Sequence, residues 1–123
     1  MADKSFASRV GNALPVTSVL ANTSTFSTTF SSSGGILLVF WSATGWVSSN
    51  VTSSIQLIID GVQKATATIG AATTVMSHKS YPAQFTIVTG LAAGSHTISV
   101  SNLSNTNIDA NDRCSITIIE LPT

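Results

Sequence analysis

From Leu14 onward the chain alternates short apolar, β-branched runs with clusters of serine, asparagine, glycine and proline, and no apolar set recurs at helical spacing. This pattern predicts an all-β antiparallel sandwich or barrel of many short strands. Strands are expected near residues 14–20, 24–31, 35–46, 54–60, 62–69, 73–79, 83–89, 95–102 and 113–121. The clearest local signal is IQLIIDGVQKATATI, where Asp60-Gly61 supplies the positive φ angles of a tight hairpin turn between two strand-like runs. Gly90 and the AAG at 92–94 bracket Leu91 and predict a second turn, and NLSNTNIDANDR is the longest polar loop. Pro82 and Pro122 stand at strand margins, where a missing N–H does least harm. Residues 3–12 are the one helix candidate, with Asp3 as cap, Phe6 and Val10 on one face, and Gly11-Asn12 as stop. The expected organisation is a short N-terminal arm or helix over residues 1–13 and one β-sandwich domain over 14–123.

The stretch GGILLVFWSATGW raises a difficulty. In a strand, Ile36, Leu38 and Phe40 face one way and Leu37, Val39 and Trp41 the other, so both faces are apolar. An antiparallel sheet in a small domain usually gives its core one face. IQLII and CSITIIEL repeat the pattern, with outward faces of mixed apolar and hydroxyl character and few charges, as at the core of a subunit interface. Left wet, Leu37, Val39, Trp41, Ile58 and Ile119 would forfeit on the order of 10 kcal/mol. That rivals the whole stability of a domain, about 5–15 kcal/mol. The expected cover is a neighbouring copy, with Leu37, Val39, Trp41, Ile58, Ile119 and Leu121 at the interface; the alternative cover is the chain's own N-terminal segment.

Composition sharpens this expectation. Only 8% of the 123 residues are charged, the five basic and five acidic ones balance, and the polar remainder is dominated by 20 serines and 17 threonines. The basic residues are scattered rather than clustered, which excludes a phosphate-neutralising nucleic-acid footprint. A weakly charged, near-neutral surface favours assembly over solitary solubility. Neither a signal-peptide core nor an apolar membrane span is present, so synthesis in a cytoplasm without a membrane partner is expected. The Asn-x-Ser/Thr triplets at Asn22, Asn50 and Asn102 are expected by chance in so hydroxyl-rich a chain. Cys114 stands alone inside a strand pattern and is expected to be a small buried hydrophobe.

Candidate chemistry is sparse. His78 and His96 are the only histidines, and with no Glu or Cys nearby they make no zinc set within one chain. No metal or other cofactor is expected, although threefold symmetry could gather three copies of one histidine around an ion. Asp109, Asn111 and Asp112 in NIDANDR offer hard oxygen ligands for calcium, against the plainer reading of a side-chain-capped turn. Ser77 and His78 are adjacent and point apart in a strand, no nucleophile-elbow glycine pattern exists, and no catalytic residue is expected. Trp46 and Tyr81, near strand ends, are candidates for stacking on sugar rings, with Asp109 and Asp112 beside them as ligand contacts.

The succession GGILLVFWSATGW, SIQLIIDGV, YPAQFTIVTGLAAGSHTISVSN and CSITIIEL resembles the trimeric jelly rolls of the tumour-necrosis-factor-like and complement-globular-head type, as found in phage tail fibres and virion surface proteins. Asp60-Gly61, Leu91, Gly94, His96 to Val100 and Ile116 to Leu121 stand at the matching places, and the resemblance covers about residues 34–121. It implies a jelly-roll sandwich of eight or ten strands packed around a threefold axis. Because the chain begins with Met1 and stops after Thr123, with no shaft, a free-standing trimer is expected. The expected function is a non-enzymatic capsid decoration (cement) protein of a virion, bound to the major capsid protein or another virion protein. Its arm would lay Phe6, Arg9 and Val10 across the shell. The alternatives are a receptor- or glycan-binding tip of a tail fibre and a bacterial β-sandwich adhesion module.

Overall fold

The computed structural model describes residues 12–20, by backbone alone, and residues 25–70 and 76–121. Among the described residues there are nine strands: β1 (Asn12–Leu20), β2 (Thr25–Ser32), β3 (Ile36–Gly45), β4 (Ser53–Ile59), β5 (Val62–Ile69), β6 (Lys79–Ser80), β7 (Gln84–Val88), β8 (Gly94–Asn102) and β9 (Arg113–Leu121). All pairings are antiparallel, and no helix occurs among the described residues. One sheet has the order β1-β9-β3, extended by β7 and the short β6 on the far edge of β3; the other has the order β2-β8-β4-β5. Setting β6 aside, the first strand pairs with the last, β2 with β8, β3 with β7 and β4 with β5, which is a long hairpin rolled into a jelly roll.

The expected Asp60-Gly61 hairpin forms, with φ of 50° and 79° at its two central residues. Both angles lie in the left-handed region that Asp and Gly tolerate, and this turn leads β4 back as β5. The expected strand over 73–79 is largely absent from the described part. Residues 76 and 77 form a bend, and only Lys79 and Ser80 pair as a strand, opposite Gly45 and Thr44. The arm with Phe6, Arg9 and Val10 lies outside the described residues, and the last two positions assigned to it, Asn12 and Ala13, already belong to β1.

The core lies between the sheets. Leu37, Val39, Trp41 and Ala43 of β3 join Cys114, Ile116 and Ile118 of β9, and face Phe26, Ile55, Leu57, Ile98 and Val100 of the other sheet. Each large side chain so buried contributes about 1.5–3 kcal/mol. Burial pushes the Cys114 thiol up to about 12, as suits a packed hydrophobe and not a nucleophile.

This arrangement corrects the interface assignment. Leu37, Val39 and Trp41 are 1%, 0% and 2% exposed, covered by the chain's own second sheet. The reason is register: Leu37, Val39, Trp41 and Ala43 stand opposite Glu120, Ile118, Ile116 and Cys114. Opposed residues share a face, and the apolar face of β9 draws that parity of β3 inward. The opposite parity, Ile36, Leu38 and Phe40, is therefore the one left outside. Ile119 and Leu121 do point outward, half-buried, on this same sheet, whereas Ile58 is half-buried on the outer face of the other.

Candidate functional site

Two features of the surface depart from an ordinary sandwich. The first is the outer face of β9, β3 and β7. Register sets Ile119, Leu38 and Ile87 in one row, Thr117, Phe40 and Phe85 in the next, and Leu121 beside Ile36. Phe40, Phe85 and Ile87 are 43%, 52% and 60% exposed, and no charged residue interrupts these rows. The Phe40 and Phe85 rings stack with centroids 4.8 Å apart, an offset geometry favoured for aromatic pairs. Beyond them a depression of about 280 Å³ is lined by Ser42, Gln84, Ser115 and Thr117. It adjoins a second, of about 410 Å³, lined by Thr44, Ser80, Tyr81 and Arg113.

The second feature is the end of the sandwich where β3 runs out. Trp46 bridges to Asn107 by a reciprocal pair of backbone hydrogen bonds of 2.9 and 2.8 Å, drawing the 107–112 loop against β3. Asp112, fully buried, accepts from the Thr44 hydroxyl at 2.8 Å and from the Asp109 N–H at 2.8 Å. The third partner of Asp112 is His78, whose Nδ1 lies 2.7 Å from Oδ1. His78 Nε2 lies 3.7 Å from Asp109 Oδ2. Asp109 in turn accepts from the Trp46 indole N–H at 3.0 Å and from the Asn111 N–H at 2.8 Å. The Asp109-to-Asp112 segment is thus a side-chain-capped turn, the plainer of the two sequence readings.

Of the four residues expected to contact a ligand, Trp46, Asp109 and Asp112 are brought together. Tyr81 is close by but is 3% exposed, its hydroxyl hydrogen-bonded with Ser53 and Thr106, so its ring is not available for stacking. The expectation that the histidines lack metal-ligating company is corrected for His78. Its partners are distant in sequence and near in space, and no local spacing signals the junction. His96 pairs with Asp60 and with the Ala92 carbonyl, a structural role. Glu120, which sequence reasoning passed over, is a buried carboxylate held by Ser32 and Ser33.

No protein-family model and no curated protein matches the chain. Among solved structures, a segment of dimeric latent PorU from Porphyromonas gingivalis aligns with a TM-score of 0.51 at 12% identity, over 80% of this chain and 10% of that one. The CBM36-1 domain of a multidomain xylanase from the hindgut metagenome of Trinervitermes trinervoides aligns with a TM-score of 0.45 at 16% identity, over 93% and 89% of the two chains. A family 35 carbohydrate binding module from Clostridium thermocellum gives 0.44 at 9%, over 89% and 88%. What this chain shares with the PorU segment is the fold; the β-sandwich jelly roll is its class.

Proposed function

We propose that the chain is a non-enzymatic structural protein that works by adhesion, its copies associating through the outer face of β9, β3 and β7. The observation that carries this reading is the charge-free patch of Ile36, Leu38, Phe40, Phe85 and Ile87, flanked by Ile119 and Leu121. Contiguous exposed apolar surface of this kind marks an interaction site, and the low charge of the whole chain removes the repulsion that would keep copies apart. A homotrimer decorating and reinforcing a virion shell is the assembly we favour. That setting rests on the resemblance of the Asp60-Gly61 hairpin, the Leu91-to-Val100 turn and strand, and the closing β9 strand to virion jelly rolls. Bridging neighbouring shell subunits then stabilises the assembled state by mass action.

Sedimentation at micromolar concentration tests the assembly: the native chain is expected to run as an oligomer, and a Phe40→Ser, Ile87→Ser double variant as a folded monomer. A native chain that runs as a monomer under the same conditions removes the reading. Co-sedimentation with empty capsids tests the shell partner.

A second reading, glycan recognition, is favoured by the groove bordering Phe85, whose walls carry Ser42, Gln84, Ser115 and Thr117 and lead toward Arg113. A monomer that retains glycan-array hits, and loses them in Phe85→Ser, would select it over the first.

A further inference from the structure

His78, Asp109 and Asp112 offer one ligand atom each, and these atoms all lie within 4.8 Å of one another. We propose that these three side chains bind a divalent first-row transition metal of the zinc class at the end of the sandwich, where β3 meets the 107–112 loop.

The argument begins with charge. Asp112 has no exposure, and the His78 ring nitrogens lie 2.7 Å from Asp112 Oδ1 and 3.7 Å from Asp109 Oδ2. A neutral imidazole keeps one nitrogen lone pair, which a cation can take as a ligand. A divalent cation lying among the three groups is attracted by both carboxylates and by an imidazole lone pair together.

Ligand type selects the ion. Calcium and magnesium favour all-oxygen shells, whereas an imidazole with two carboxylates suits zinc and its first-row neighbours. Three protein ligands, two of them with side chains 33% and 42% exposed, leave a fourth position open to water or to a partner's donor. The supporting shell is in place: Thr44 holds Asp112, while the Trp46 indole and the Asn111 N–H hold Asp109. Such donors orient carboxylates for a metal. The proposal does not depend on the assembly reading.

Isothermal titration of the chelator-treated full chain with zinc chloride is the test. One zinc per protomer is expected, with affinity weakened about ten-fold or more in His78→Ala and in Asp109→Asn, unchanged in His96→Ala, and no comparable heat from calcium chloride. Asp112 is avoided because a buried variant there would unfold the turn. Should a variant lose its circular-dichroism spectrum, cobalt(II) added to the unaltered protein decides, with paramagnetically shifted ring protons expected from His78. Absence of zinc and cobalt uptake, affinity untouched in both folded variants, or shifted signals belonging to His96 would each overturn the assignment.

Discussion

Glu120 and Ser32 meet inside the sandwich, where the Ser32 hydroxyl donates to the Glu120 carboxylate across the start of the β2–β3 connection. Ser33 adds its own hydroxyl and its N–H, the latter 2.9 Å from Oε1, so β9 is tied to the turn that launches β3. Burial by itself raises the Glu120 pKa, but the hydrogen bonds from Ser32, Ser33 and Gly35 together outweigh it and the net shift is downward.

A carboxylate with a depressed pKa contributes stability that is present above its unfolded value and lost as pH falls through its folded one. Stability is therefore expected to decline below about pH 4.5, the ordinary glutamate value. Glu120→Gln should cost about 1–3 kcal/mol at neutral pH by turning an amide N–H donor toward the Ser32 and Ser33 donors, and should lose this acid dependence. Urea titrations of both proteins from pH 3 to pH 7 check the expectation, and identical pH profiles would refute it.

The second pH-linked pair is His96 with Asp60. The Ala92 carbonyl and then Asp60 raise the His96 pKa above 6.5, while the Thr97 N–H and then His96 lower the Asp60 pKa below 3.8. The histidine's contribution is full below 6.5 and lost as pH rises through its folded pKa; the aspartate's is full above 3.8 and lost as pH falls through its own. The Asp60-Gly61 turn should be firmest between those two values. Histidine ring signals followed by NMR should show His96 titrating above 6.5, and amide exchange at Gly61 should quicken in His96→Ala at pH 5. A midpoint for His96 below 6.5 would contradict this.

Gly35 and Gly61 demand glycine for different reasons. A Cβ at Gly35 would sit 2.1 Å from the Leu121 carbonyl oxygen, so the backbone of β3 or β9 must move. At Gly61 nothing lies within 4 Å, but φ is +79°. Gly35→Ala is expected to cost about 3 kcal/mol as overpacking and Gly61→Ala about 1 kcal/mol as backbone strain. Thermal denaturation of the two variants should rank them in that order; the reverse order would show that the close approach relaxes freely.

Much of the fold was legible in the chain. The boundaries of β2, β3, β4, β5, β7, β8 and β9 fall within one or two residues of those read from the pattern, because strand alternation and the Asp60-Gly61 turn depend on neighbours a few positions away. The candidate site was legible only in pieces. His78 and the Asp109-Asp112 turn each looked unremarkable alone, and Tyr81 looked exposed because a polar loop in sequence says nothing of the Ser53 and Thr106 hydroxyls waiting beside it.

By itself the sequence determined that this protein is an all-β, charge-poor sandwich carrying more apolar strand surface than one core needs. Tertiary structure decided which of that surface is wet: pairing with β9 turned Leu37, Val39 and Trp41 inward and left Phe40, Phe85 and Ile87 outside. It also decided that His78 lies between two carboxylates. The physical reason is common to both. A period of two is symmetric between the faces of a strand, so only contacts between residues far apart in the chain can break the tie.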